Sequence, residues 1–419
     1  MAVQEDSQPA PAQELHDEKK HLDSTSDSES ARATVPASPD NFSPVPDGGT
    51  RAWLVVAGAG CIFFSCLGFM NSWGVFQAYY TTHQLRDHSP DKVAWIGSLA
   101  AFIQFAGGAV TGPLFDRYGD WVIRPGAVLY VFALMMTSIC TEYWHFMLAQ
   151  GVLTGFAMSL LQVPAFAAVA QYFEKKRAAA LGLMVSGSSI GGVVFPIALS
   201  KMLNSSSLGF GWSVRVMAFV VMPLLAFSIF AVTARLPPRK TTFFIGMFVP
   251  LFFIPTYAIY RGVEPTLASY LLAIVNAAST FGRIIPGVLA DKFGKLNMFA
   301  IGGIVTGMIG LCLNTVTSTP GLIVYSIFFG FSSGTIISGA SAALSICTED
   351  LQSLGTYMGM GMALSASASL VGPPVSGAML DKYGGFLEAT IFSGVICLFG
   401  GFLVFATKVT TKEGIFGRV

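Results

Sequence analysis

Charge is what this chain has least of. Only 11% of its 419 residues are Asp, Glu, Lys or Arg, while 53% are hydrophobic and the mean hydropathy is +0.63. Soluble domains carry about 25% charged residues, so the composition excludes an ordinary soluble globule and requires a bilayer around most of the chain. Carboxylates are missing from the apolar runs, since Glu142, Glu264 and Glu388 all lie near run ends. The six cysteines (Cys61, Cys66, Cys140, Cys312, Cys347, Cys397) fall in or at the ends of apolar runs without metal-ligand spacing. They predict neither a metal site nor a disulfide framework. The histidines stand in an N-terminal tail (His16, His21) or in polar connections (His83, His88, His145), where solvation is their expected state. His-Glu-x-x-His, a phosphate loop and an intramembrane carboxylate pair are all missing, so no enzyme, no cofactor, no ATP-driven step and no nucleic-acid partner is expected.

What charge there is has a pattern. Residues 1–46 hold nine acidic and three basic side chains, a net of −6, and the remainder holds 14 and 21, a net of +7. The acidic, Ser/Pro/Ala-rich tail has no apolar run, so it is neither a secretory signal nor a transit peptide and is expected to be disordered. Beyond it, uncharged runs long enough to cross a bilayer occur at 52–80, 93–115, 125–141, 143–173, 178–200, 216–234, 241–260, 265–290, 351–380 and 389–407. A further run, 296–348, must fold back at Asn314–Gly321. Each crossing needs about 20 residues, which gives twelve spans with both termini on one side. Loops on the tail's side hold ten Lys or Arg (Arg117, Arg124, Lys175, Lys176, Arg177, Arg235, Arg239, Lys240, Lys292, Lys295) against six opposite. That bias places the termini in the cytoplasm.

The stretch Asn276–Lys295 organises the rest. It carries Arg283, the one charge well inside an apolar run, and ends in Gly287-x-x-x-Asp291-Lys292-x-Gly294. The same spacing recurs as Gly112, Asp116, Arg117, Gly119 and as Gly377, Asp381, Lys382, Gly384. The first two copies are 175 residues apart and the last two 90 apart, the mark of duplicated halves. Small residues at four-residue spacing (Gly151/Gly155, Gly303/Gly307, Gly330/Gly334, Gly355/Gly359) predict close helix approaches. Prolines within spans, such as Pro164, Pro196 and Pro286, allow kinks.

Twelve spans in two halves, with a Gly-Asp-Arg turn after spans 2 and 8, resemble the major facilitator superfamily. Within it the chain is similar to the monocarboxylate porter family, particularly its fungal members. The first family motif is matched by Asp47-Gly48-Gly49 and Trp53, the second by Tyr172-Phe173-Glu174-Lys175-Lys176-Arg177 running into span 5. Gly74–Tyr80 and Ala94–Ser98 also look like fungal members. The resemblance covers about 47–407 and implies an all-α membrane transporter of two pseudo-symmetric six-helix halves. Two positions depart from it. Asn71 and Ser279 stand where animal members carry a Lys and an Asp implicated in proton and carboxylate coupling, leaving only Arg283.

Arg283 is the leading site residue. A charge deep in a span costs at least about 2.5–3.5 kcal/mol on insertion scales, and a guanidinium holds a carboxylate bidentately. The competing reading is a structural arginine satisfied by backbone carbonyls. Asn276, Ser279, Arg283 and Gly287 share one helical face at steps of three and four. Asn71 and Gln77 are expected to line a cavity with them, and Gln104, Gln162, Tyr257 and Tyr357 are further candidates. Ser186, Ser188 and Ser189, beside Gly187, Gly191 and Gly192, read as helix packing. Asp116/Arg117 and Asp291/Lys292, with Gly112 and Gly287, are expected to gate, each carboxylate meeting a neighbouring helix N-terminus or cation.

The expected organisation is a disordered cytoplasmic tail (1–46), a six-helix half (47–234), a short linker (235–240), a second half (241–407) and a cytoplasmic C-tail (408–419). The expected function is alternating-access transport of a small organic solute, a monocarboxylate-like anion or a secondary metabolite, at the plasma membrane. The competing class is a non-transporting nutrient sensor on the same fold, which the short C-tail and short linker disfavour.

Overall fold

A chain that crosses lipid must satisfy its backbone hydrogen bonds within each segment, and helices do so. The computed structural model describes residues 45–204, 207–236, 265–316, 318–345, 353–383 and 386–409, and among these every regular element is helical. The expected span at 241–260 with Tyr257, most of the 235–240 linker, and both tails before 45 and after 409 lie outside the described residues.

The expected first span is a pair of helices, α1 (Thr50–Met70) and α2 (Trp73–Thr82), broken at Asn71–Ser72. The second is α3 (Pro90–Ala106) continued by α4 (Gly108–Tyr118). Gly119, at φ +64°, ends α4 in a conformation that suits glycine. Then come α5 (Ile123–Thr137), a short α6 (Tyr143–Phe146) leading through a π-helical turn, Met147–Leu153, into α7 (Thr154–Tyr172), α8 (Arg177–Asn204) and α9 (Gly209–Ala231). The later part holds α10 (Pro265–Phe293), α11 (Lys295–Leu311), α12 (Thr319–Leu344), α13 (Leu354–Tyr383) and α14 (Leu387–Val409). Eleven of the twelve expected spans thus appear as helices among the described residues.

The largest buried apolar cluster threads α1 to α9 and takes in Leu354, Met358 and Met362 of α13. A smaller one joins Leu271, Leu313, Leu322, Tyr325 and Phe386. Large apolar side chains also point outward, among them Phe132, Phe230, Phe328 and Phe399. Around a membrane bundle that outer layer meets lipid tails, so association between helices depends on close packing rather than on hydrophobic gain. Glycine supplies it. A Cβ on Gly282 would lie 2.0 Å from the Phe331 carbonyl oxygen, and one on Gly303 2.9 Å from the Gly401 Cα.

Gly282→Ala should therefore lower the melting temperature of the purified protein, by an overpacking cost of about 1–3 kcal/mol. Gly400→Ala, where an added Cβ meets nothing within 4 Å, is the control. Equal melting temperatures for the two variants would refute close α10–α12 packing as the reason for Gly282.

Candidate functional site

The site grows from an antiparallel seam between α8 and α10. Along α8, positions 182, 185, 189 and 192 recur at steps of three or four and so share one face. A Cβ on Gly182 would lie 2.5 Å from the Arg283 carbonyl oxygen, and one on Gly192 would lie 2.7 Å from side-chain atoms of both Asn276 and Asn71. Glycine at these two positions lets backbone meet backbone and amide. The opposite face of α8 uses Gly187 and Gly191 to press on Gly60, Phe64 and Gly68 of α1.

At the end of this seam, the Asp291 carboxylate accepts the Ala178 and Ala179 amides of the first turn of α8, at 3.0 and 2.9 Å. Asp116, in the last turn of α4, accepts the Gly355 and Thr356 amides of the first turn of α13 at 3.0 and 2.6 Å, together with the Thr356 hydroxyl. Those amides are among the four donors a helix leaves unpaired at its start, and the carboxylate also meets the positive end of the macrodipole. The recurring Gly-x-x-x-Asp spacing now has a cause. One turn before each carboxylate, Gly112 and Gly287 bring the helices together: an added Cβ would lie 2.3 Å from the Gly355 oxygen and 3.0 Å from the Ala178 oxygen. The cations of the motif, Arg117 and Lys292, are exposed and do not enter these contacts. The side chain of Asp381, in the third copy, lies outside the described residues.

The two resemblance motifs meet at the same end. Asp47, whose φ is +49°, accepts the amides of Glu174, Lys175 and Lys176 on one oxygen, at 2.7, 2.8 and 3.4 Å. Trp53 packs edge-on to Phe173 with centroids 5.2 Å apart. Tyr172 reaches the Thr233 hydroxyl at 3.1 Å. Arg177 donates from Nε to the Phe173 carbonyl at 2.8 Å and from Nη1 to the Ser345 carbonyl at 2.9 Å. Ser345 is the C-cap of α12, so this arginine meets the negative end of a helix as the two aspartates meet positive ends.

Arg283 lies about 12 Å along α10 from Asp291, eight residues at 1.5 Å each, and is 4% exposed. Its Nη1 donates to the Val185 carbonyl at 2.8 Å and to the Ser188 hydroxyl, which itself donates to Val185 O at 2.9 Å. It is thus held by α8 rather than standing free, and the backbone-carbonyl reading is half met. Its Nε has no partner among the described residues. Asn71 donates to Asn276 Oδ1 at 3.3 Å, joining the α1 terminus to α10. Ser279 lies instead toward α12, where a Cβ on Gly334 would come 2.9 Å from its hydroxyl oxygen.

Of the remaining candidates, Gln104 and Gln162 are a buried amide pair, bonded at 2.9 Å within the first half of the chain. Gln77 is half-buried one and a half turns beyond Asn71. Tyr357 is 42% exposed in the first turn of α13, beside the Asp116 contact rather than at the depth of Arg283. Ser188 escaped the sequence reading, because a serine amid glycines reads as packing and only the fold puts it against Arg283. Gly187-x-Ser189-x-Gly191 spells the Gly-x-Ser-x-Gly of a hydrolase nucleophile, but that chemistry needs a strand–turn–helix corner and the string lies in mid-helix.

A bundle of apolar spans tied at their ends by carboxylate–helix-terminus contacts, with Arg283 deep within one span among the described residues, fits a transmembrane transporter. The chain belongs to the Major Facilitator Superfamily, whose family profile matches residues 58–244 and 241–415. It is 46% identical over 400 residues to the aspyridones efflux protein apdF of Emericella nidulans, covering 90% of this chain and 82% of that one. To the agnestins efflux protein AgnL12 of Paecilomyces divaricatus it is 37% identical, covering 94% of each. Among solved structures, the human organic anion transporter MFSD10 (TETRAN) superposes with a TM-score of 0.63 at 14% identity, over 85% of this chain and all of that one. FucP in the outward conformation gives 0.62 at 14% identity, over 84% and 98%. These two likenesses concern the fold.

Asp47 supplies a test by pH. Partial burial alone would raise its pKa, but the Glu174, Lys175 and Lys176 amides outweigh that and hold it below the usual carboxylate value. A lowered folded pKa stabilises above the unfolded value and is lost as pH falls through the folded one. The melting temperature of Asp47→Asn should lie below wild type by a constant gap from neutral pH down to about 4, closing only under stronger acid. A gap that closes near neutrality would discard this cap.

Proposed function

We propose that this transporter is a fungal-type member of the monocarboxylate porter family that exports a small anionic or strongly polar metabolite from the cytoplasm. Arg283 is the observation that carries the substrate class. It is buried at mid-span with its Nε unpartnered among the described residues, and Asn71 and Asn276 lie one to two turns further along the same seam. A buried cation without a carboxylate partner favours an anion. The similar proteins apdF and AgnL12, both named efflux proteins, support export. The Lys/Arg bias supports cytoplasmic termini.

In this reading residues 47–234 and 241–407 are halves that rock about the seam. The two matches of the family profile, 58–244 and 241–415, support that division. Asp116 and Asp291 latch the cytoplasmic end, with Arg177 as a third contact, and each bond must break for the cavity to face inward. Gln104, Gln162 and Gln77 line the route on the side of the first half. Any proton coupling would travel on the substrate or through a residue away from Arg283, beside which no embedded carboxylate stands among the described residues.

Deleting the gene and comparing metabolites in cells and medium with the parent strain identifies the cargo. Re-expressed Arg283→Ala should restore almost no export, and Arg283→Lys only part of it through the lost fork. Parental export by the Ala variant would remove Arg283 from the site. Asp116→Asn and Asp291→Asn should insert normally yet export slowly, with the cavity more accessible to cysteine reagents from the cytoplasm. An unchanged accessibility would reject the latches.

A further inference from the structure

The hydrogen bonds around Arg283 are distributed unevenly. Both fall on Nη1, one to the Val185 carbonyl and one to Ser188. The only proton of the Ser188 hydroxyl is committed to the Val185 carbonyl at 2.9 Å. Ser188 therefore offers Arg283 a lone pair and has no proton left for anything else. Two acceptors on one nitrogen fix the plane of the guanidinium. The edge that carries Nε, which binds a carboxylate side-on, is left over.

A second buried donor goes unused on the same face of α8, one turn beyond Val185. The Ser189 hydroxyl has no partner among the described residues, in a residue that is fully buried, and Arg283 Nε is in the same condition at 4% exposure. Ser189 shares the α8 face with Gly182, Val185 and Gly192, all of which touch α10 or its partners, and lies between the levels of Arg283 and Asn276. Leaving one buried donor unmatched is unfavourable, and leaving two on one seam is more so. Both are donors, which is the complement of an anion with two acceptor oxygens.

We propose that Arg283 and Ser189 together form a carboxylate-binding site, with Ser188 as the positioning residue that holds the guanidinium edge toward it. The inference rests on reading Arg283 as a substrate residue and adds the two serines to it. The carboxylate lies side-on against Nε, and the Ser189 hydroxyl donates to one of its oxygens. Ser188 touches the arginine and not the ligand. A neutral amide cannot replace the carboxylate, because it offers one acceptor and brings donors of its own.

The full-length protein in lipid nanodiscs would be titrated with sodium benzoate, and with benzamide as the neutral isostere, following the melting temperature. Benzoate should raise it in wild type and benzamide should not. Ser189→Ala should weaken benzoate roughly tenfold, the loss of one hydrogen bond to a charged group, without lowering the melting temperature of the unliganded protein. Ser188→Ala should lower both the unliganded melting temperature and the benzoate affinity, and Ser188→Thr, which keeps the hydroxyl, should restore both. Arg283→Ala should abolish the benzoate response. If Arg283→Ala abolishes the response while Ser189→Ala binds benzoate within twofold of wild type, the serine site is wrong and Arg283 stands alone. A response that survives Arg283→Ala overturns the arginine reading and this one with it. Absence of any benzoate response in wild type overturns the carboxylate site.

Discussion

The structure depends on carboxylates meeting the starts of helices. In a bundle surrounded by lipid no hydrophobic gain draws one helix to another, and helix starts still need acceptors for their first amides. Asp291 and Asp116 supply those acceptors from outside the helix concerned, joining α10 to α8 and α4 to α13. Each carboxylate accepts two backbone amides, which need no particular side chain on the partner helix, and Asp116 adds the Thr356 hydroxyl. Each requires a glycine one turn earlier on its own helix, and Gly112 and Gly287 stand there. Contacts of this kind join helices far apart in sequence through a few backbone donors at one end of each.

The Asp47 and Arg177 contacts extend the same logic. The turn Glu174–Lys176 and the first residues of α8, Ala178 and Ala179, divide their amides between two carboxylates from distant parts of the chain, Asp47 and Asp291. Arg177, within that turn, reaches the end of α12. The beginning of α8 is thus the point where the N-terminal motif, the second family motif and the later half of the chain come together. A transporter that changes its shape at this end has to rearrange that turn.

Much of this was legible in the residues. Twenty-residue apolar runs imply helices because lipid allows little else, and the eleven expected spans that fall among the described residues are helices. The Gly-x-x-x-Asp turns stood out as repeats, and their expected partners, helix N-termini, are the partners two of them have. Arg283 stood out because one charge in a long apolar stretch is conspicuous. Ser188 did not, since serine is common in membrane helices and its spelling among glycines is the same whether it packs or binds. Tyr357 shows what residue type leaves open. Residue type predicted a cavity wall, but the helix starts at Leu354 and leaves it in the first turn. The pairing of Gln104 with Gln162 was equally hidden, because a partner 58 residues away leaves no trace in local spacing.

By itself the sequence determined the solvent of this protein, the rough limits of the spans among the described residues, the repeat of its charged turns and the conspicuous position of Arg283. All of these follow from composition and from spacing along one helix. Only the tertiary structure decided which helix each carboxylate caps, that Arg283 rests on α8 through Val185 and Ser188, and that Asp47 sits on the turn before Arg177. Those facts depend on which helices cross and at what depth. That is set by the sum of many glycine-permitted close approaches, and no single stretch of the chain carries it.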